Sequence, residues 1–253
     1  MVFHTFGNEK NKVIVFIHGM LTPWQIWEDA ADFFCGDYYV VIPELDGHTE
    51  NEISEFISVK DEAEQIRQYL VKHFEGKVYA LCGLSMGGRI AATLAGMKDV
   101  HFNCIVLDGA PLQKMPGILI SVMKNSYINI IKKTKQRDPK VIERCKKDFL
   151  PERYLDDFFK VADHIQEQSV KNILQSVFSR FDYKAYSNDI RIMFMHGTKG
   201  NESVAAKSAV NLKKINPQTE IRCFDGYAHA QLACFEIEKW IEVVSAFLKK
   251  GSF

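Results

Sequence analysis

Apolar residues along the chain gather into short, nearly continuous runs at Val13 to Ile17, Tyr38 to Ile42, Val78 to Cys82, Cys104 to Leu107, Ile190 to Met195 and Glu220 to Phe224. Runs of this length, rich in β-branched residues and without strict alternation, fit strands covered on both faces, as in a parallel sheet. Between them, apolar positions recur at helical spacing over Pro23 to Phe34, Val59 to Phe74, Met86 to Met97, Ser203 to Ile215 and Ala230 to Lys249. Strand and helix in alternation predict a three-layer α/β architecture, a mostly parallel central sheet flanked by helices. A weaker strand is expected at Val2 to Phe6, pairing at the sheet edge.

The alternation stops between Pro111 and about Asn188, where no convincing strand occurs and helical stretches such as Pro151 to Ala162 and Val170 to Phe181 take over. The expected organisation is therefore a core of residues 1–110 and 189–253 with a helical cap inserted at 111–188. An insertion between the strand ending at Leu107 and the one starting at Ile190 falls over the carboxyl ends of the strands, where open α/β sheets bind ligands. Such a cap acts as a lid. No internal repeat or low-complexity linker interrupts the chain.

Composition narrows the functional classes. The 253 residues are 47% apolar and 25% charged, enough for one large core carrying an inserted subdomain. Thirty-two basic and 32 acidic residues cancel, so no global field draws in nucleic acid, which is not an expected partner. No basic start followed by a long apolar stretch is present, and nowhere do about 18 apolar residues run together. A cytoplasmic protein is expected, neither secreted nor stably inserted in a membrane. The six cysteines form no C-x-x-C pair and mostly lie in apolar segments. They read as buried free thiols of a reducing compartment, with no disulfide, metal site or cofactor expected.

The chemistry centres on Gly83-Leu84-Ser85-Met86-Gly87-Gly88, which follows a predicted strand and opens the small-residue helix Arg89 to Gly96. G-x-S-x-G in this setting is a nucleophile elbow, a serine on a tight strand-to-helix turn. The flanking glycines remove side chains that would clash with a serine held at a strained backbone angle. A serine hydroxyl is a weak nucleophile at neutral pH and needs a base whose tautomer is fixed by a further group. His229, on the loop Asp225-Gly226-Tyr227-Ala228-His229 after the last predicted strand, is the expected base. His4, His73, His101 and His164 read as surface or packing residues. His18 and His196 end strands before glycine, where holding a loop backbone is as reasonable a role as catalysis, and His48 reads as a turn former.

With these motifs in place the chain resembles an α/β-hydrolase over essentially its whole length. Four landmarks follow the family's order: His18-Gly19-Met20, the Pro43 to His48 turn, the Gly83 to Gly87 elbow, and the Gly226 to His229 loop. The resemblance implies an oxyanion hole formed by the backbone N–H groups of Met86 and Met20. Read without it, both methionines are apolar loop residues. The resemblance also places the third catalytic group, an acid, after the strand Ile190 to Met195. Here the chain departs from the family, because His196-Gly197-Thr198-Lys199-Gly200 has glycine at the expected place. Glu202 is the nearest carboxylate, either the acid or a helix-start residue facing the dipole. Asp108, at the tip of the strand Cys104 to Leu107, is the reserve.

Leu21, Trp24, Met115 and Met123 are expected to line an apolar substrate site, while Trp27 reads as structural. From Leu112 to Leu150 ten basic residues face three acidic ones. That excess reads either as a basic mouth favouring anionic esters or a membrane surface, or as the solvated end of an inward-packing helix. The leading expectation is a metal-independent serine hydrolase, a carboxylesterase acting on a small or medium ester with an apolar acyl or alkyl group. Two alternatives stand beside it: a carbon-carbon bond hydrolase or lyase on the same scaffold, and a non-catalytic ligand receptor that lost its acid at Gly200.

Overall fold

In the computed structural model, which describes residues 1–183, 186 and 190–250, the apolar runs become strands. They are β1 (Val2–Phe6), β2 (Lys12–Ile17), β3 (Tyr38–Glu44), β4 (Lys77–Leu84), β5 (His101–Asp108), β6 (Arg191–Gly197) and β7 (Glu220–Phe224). Their order across the sheet is β1-β3-β2-β4-β5-β6-β7. Every described pair is parallel except β1–β3, which closes one edge in antiparallel register. The central strands are buried almost end to end, Val13 to Ile17 among them, which explains their continuous apolar pattern.

Ten α-helices are described: α1 (Glu28–Phe34), α2 (Val59–Phe74), α3 (Met86–Ala95), α4 (Gly117–Lys135), α5 (Pro139–Asp148), α6 (Leu155–His164), α7 (Glu167–Val177), α8 (Glu202–Ile215), α9 (Gln231–Phe235) and α10 (Ile237–Lys249). From β2 the chain crosses to β3 on one side, and from β4 to β5 on the other. Right-handed crossovers in opposite directions put α1 and α3 on opposite faces, with a crevice between the ends of β2 and β4. The α1 side is locked by fully buried Trp27, whose ring lies 5.6 Å from Phe16 and 4.7 Å from Trp240 of α10.

Two expected helices are broken. Pro23 to Phe34 is a 3-10 turn, Trp24–Trp27, leading into α1. Ala230 to Lys249 divides at Glu236, whose backbone leaves helical geometry (φ −130°, ψ 53°) while its carboxylate accepts the Tyr227 hydroxyl at 2.7 Å. This bond ties the break to the loop carrying His229, a constraint that helical periodicity does not register. The cap stretches are likewise displaced by a few residues: a 3-10 turn, Glu152–Tyr154, precedes α6, and α7 starts before Val170. The boundary expected at residues 188 and 189 lies outside the described residues. All six cysteines are free; four are buried, Cys35 is partly covered, and Cys223 is exposed because it sits on edge strand β7. Among the described residues no helix is long and apolar enough to cross a membrane.

Helices α4 to α7 stand between β5 and β6, with α4 packed on α6 and α7. Hydroxyls fasten α7 to the start of α2 and the segment before it: the Phe56 amide donates to Ser169 Oγ at 3.1 Å and the Val59 amide to Ser176 Oγ at 3.3 Å. Arg89, on the helix after the elbow, joins both ends of this helical layer to the core. Its guanidinium donates to the Pro111 carbonyl at 3.3 Å, and to the Ser179 and Arg180 carbonyls at 3.2 and 3.3 Å. It also lies over the Phe181 ring at 4.7 Å. Arg89 is buried and makes no salt bridge among the described residues; burial lowers its pKa to about 10.

Replacing Arg89 by Met would leave three carbonyls without their donor, a loss of about 1–3 kcal/mol set partly against release of an uncompensated buried charge. The expected result is a lower urea midpoint at unchanged m-value, with faster proteolysis near residues 111 and 180. A midpoint equal to the parent's would show that the guanidinium fastens nothing.

Candidate active site

Ser85 lies alone between the end of β4 and the start of α3, at φ 54° and ψ −115°. The glycines around it are sterically required. A Cβ on Gly83 would come within 2.4 Å of the Gly87 carbonyl oxygen, and one on Gly87 within 2.3 Å of the Ile17 oxygen. The strained turn is held by the Ser85 amide, which donates to the Asp108 carbonyl at 2.7 Å, and by the Arg89 amide, which returns to the Ser85 carbonyl at 3.1 Å.

A line of short hydrogen bonds leads away from the hydroxyl. Ser85 Oγ and His229 Nε2 are 2.7 Å apart, His229 Nδ1 and Glu202 Oε1 2.5 Å, and Glu202 Oε2 accepts the Gly197 amide at 2.6 Å. With the carboxylate accepting, the imidazole carries its proton on Nδ1 and offers Nε2 to the serine. Two glycines again permit the contact. A Cβ on Gly109 would stand 2.8 Å from His229 Cε1, and one on Gly197 2.1 Å from the Tyr227 carbonyl oxygen. The amides of Thr198 and Lys199 both donate to that Tyr227 oxygen at 3.0 Å, which registers the acid-bearing loop against the histidine loop.

Glu202 is 2% exposed. Burial alone would raise its pKa, but the hydrogen bond and charge of His229 and the Gly197 amide outweigh it and hold the carboxyl below its usual range. It is also the first residue of α8, so the helix-start position and the contact with His229 fall on one residue. The reserve candidate, Asp108, is engaged differently. Its Oδ2 accepts the Trp240 indole N–H at 3.1 Å, and burial together with the charge of Glu202 pushes its pKa to about 7. His229 gives its Nδ1 to Glu202 instead, because Glu202 is the carboxylate that the β6 loop delivers to that side of the ring.

Met86 opens α3, where the first helical amides have no partner within the helix. The Met20 amide likewise carries no hydrogen bond among the described residues. Both residues line the cavity that holds Ser85. The loop bearing Met20 is fixed by histidines. His18 Nδ1 donates to the Gly19 carbonyl at 2.9 Å while its Nε2 accepts the Leu45 amide at 3.2 Å. His48 Nε2 accepts the Leu21 amide at 3.0 Å, with Leu21 at φ 61°, and His48 Nδ1 donates to the Asp46 carbonyl at 3.2 Å.

Over the serine lies a cavity of about 170 Å³, walled by Met20 and Met86 below and by Met115, Met123, Phe149 and Phe178 above. Two expected lining residues are absent from it. Leu21 is buried beneath the loop, because the backbone twist that gives its amide to His48 turns its side chain into the core. Trp24 stacks on His4 at 3.8 Å beside β1 and does not line the cavity. Arg89, Gly109, Gly197 and Trp240 were not singled out by sequence reasoning; the two glycines could have been flagged as glycine directly after a predicted strand. A larger groove of about 580 Å³, between the start of α2, α3 and α7, contains no histidine or cysteine. Asp46, Asp61 and Glu62 bring ligand atoms within 4.8 Å of one another, but Asp46 already accepts the Met1 ammonium at 2.6 Å and the Gln65 amide at 2.8 Å.

A profile of the alpha/beta hydrolase fold matches residues 12–233. Solved structures of similar shape include an alpha/beta hydrolase family protein from Desulfitobacterium hafniense, at 22% identity and TM-score 0.76, covering 98% of this chain and 100% of that one. A carboxylesterase of the thaumarchaeon Nitrososphaera gargenis is 15% identical with TM-score 0.76, over 99% and 94% of the two chains. The enol-lactonase from Burkholderia xenovorans is 12% identical with TM-score 0.75, over 98% and 96%. At these identities the likeness is one of fold. No curated protein matches the sequence significantly.

The two loop-holding histidines also couple the site to pH. Burial pulls His18 from 6.5 to about 3 and His48 from 6.5 to about 4, so both are neutral in the fold. Below pH 6.5 the unfolded chain takes up protons that the folded chain refuses, so stability is whole above that value and is lost as pH falls toward 4. Urea unfolding at a series of pH values from about 7.5 down to about 5 should show this slope. His48→Gln is expected to make it shallower by close to one proton; an identical slope in both proteins would remove His48 from the account.

Proposed function

The chain belongs to the alpha/beta hydrolase fold family, and on that premise we propose that it is a serine hydrolase cleaving a small or medium carboxylic ester through an acyl-enzyme on Ser85. The observation that carries the proposal is the unbroken line of hydrogen bonds from Ser85 through His229 to buried Glu202. In this reading Ser85 Oγ attacks the ester carbonyl carbon as His229 Nε2 takes its proton. The oxyanion is met by the Met20 and Met86 amides, preorganised by the histidine-held loop and by the helix terminus. Collapse breaks the acyl–oxygen bond, and the alcohol leaves with the proton from His229. Water, deprotonated by the same imidazole, then attacks the acyl-enzyme and releases the acid.

Glu202 keeps the imidazole in the productive tautomer and balances the charge it gains. Glu202 supplies the carboxylate that Gly200 could not, which weakens the case for a non-catalytic receptor. The relay needs no metal or cofactor. A carboxylesterase and an enol-lactonase among the structural relatives are in keeping with ester chemistry. The free cysteines accord with a cytoplasmic, reducing setting.

Ser85→Ala is expected to abolish hydrolysis of short p-nitrophenyl esters while leaving the melting temperature nearly unchanged, and to abolish labelling by a fluorophosphonate probe. Glu202→Gln should lower kcat by up to about 10⁴-fold, the scale seen when a triad carboxylate is neutralised. Ester turnover that survives Ser85→Ala would refute the assignment. Full probe labelling of the parent with only trace rates across an ester panel would move it to carbon-carbon bond cleavage.

A further inference from the structure

The inner stripe of α4 runs Ile120, Met123, Tyr127, Ile131 and Thr134, the spacing of a helix face turned toward neighbouring helices. Two of these five carry hydroxyls, and they are treated differently. Thr134 Oγ1 returns to the Ile130 carbonyl at 3.0 Å. The Tyr127 hydroxyl has no hydrogen-bond partner among the described residues, although burial raises its pKa. Tyr127 lines the cavity over Ser85. Tyr127 is half-buried and its hydroxyl is not sealed from solvent, so water or a bound ligand can partner it.

The rest of the lining sharpens the point. The cap side consists of proline, methionine, phenylalanine, leucine, isoleucine and valine apart from Tyr127, and among the described residues no lysine or arginine lines the cavity. The Thr22 hydroxyl is already bonded to the Gly19 carbonyl at 2.9 Å. Among the described residues the Tyr127 phenol is therefore the one hydrogen-bonding side chain that α4 to α7 bring to the chamber, whose remaining polar lining is Thr22, Ser85, Asn201, Glu202 and His229. At about 170 Å³ the chamber is slightly larger than a 150 Å³ cavity that takes benzene, so it holds roughly six to eight non-hydrogen atoms.

Resting on the serine hydrolase reading, we infer that Tyr127 reads the substrate: the acyl group is uncharged, of about six to eight non-hydrogen atoms, and carries an ether, carbonyl or hydroxyl oxygen that bonds the Tyr127 phenol while its carbonyl carbon faces Ser85. Among the described residues no lysine or arginine lines the chamber and those of α4 and α5 lie outside it, which sets this apart from an anionic substrate. Hydrogen-bonding sites discriminate against analogues that leave a buried polar group unpaired.

The test compares p-nitrophenyl hexanoate with isosteres in which one chain methylene, at C4 or C5, is replaced by ether oxygen. The parent is expected to favour at least one oxygen-bearing ester by about tenfold in kcat/KM, mainly through KM, and Tyr127→Phe to bring that ratio close to one. Ratios unchanged by Tyr127→Phe would overturn the inference. A second arm measures calorimetric binding of the matching non-hydrolysable N-methyl amides to the parent and to Tyr127→Phe. A tenfold preference for the oxygen-bearing amide that vanishes in the variant upholds the site even where neither ester is turned over, a result that would count against the hydrolase reading alone. Equal affinities of the two amides for the parent would sink the Tyr127 role whatever the esters do.

Discussion

A serine held at φ 54° between a strand and a helix is the constraint on which the remaining structure depends. Such a backbone persists only where its surroundings over-determine it, at a cost of about 1–3 kcal/mol. Here the surroundings are main chain on every side: Gly83 lies against Gly87, and Gly87 against the end of β2. That contact is possible because β2 and β4 are neighbours in the sheet although β3 separates them in sequence. The strand crossing that opens a crevice therefore also brings the Met20 loop and the serine turn together at its mouth.

Two carboxyl groups close to the imidazole are driven in opposite directions: burial raises Asp108, whereas hydrogen bonds and charge outweigh burial at Glu202. Glu202 receives the imidazole and a backbone amide and is held ionised. Asp108 receives one indole N–H, is buried, and feels the charge of Glu202, so its carboxyl is pushed up to about 7. Near neutral pH one negative charge beside His229 is favoured over two. Hydrogen-bond supply separates them: Asp108, at the end of β5, has one indole donor, whereas Glu202, opening α8 after β6, has an imidazole and an amide.

Helices α4 to α7 are tied to the core by polar contacts with the backbone and face the cavity with mostly apolar side chains. Arg89 holds both ends of the helical layer, and serine hydroxyls of α7 hold the start of α2 and the segment before it. Because Arg89 follows Ser85 by one helical turn, the helix that opens after Ser85 also anchors α4 to α7. The apolar side chains that α4 to α7 place over the cavity keep water from the hydrogen-bonded line beneath, which strengthens its electrostatic interactions.

Strand and helix identities were legible in the sequence, because burial on both faces or on one stripe imposes a local period that a single chain displays directly. The elbow was legible for the same reason: Gly83, Ser85 and Gly87 are near neighbours whose steric requirement is local. His229 followed from its place after the last strand. The helix break at Glu236, the roles of Arg89 and Tyr127, the misplacement of Leu21 and Trp24, and the choice of Glu202 over Asp108 were decided by tertiary structure. Each depends on which distant side chain or backbone donor meets a given group. Such meetings are set by strand order and loop packing, and they leave no periodic trace along the chain.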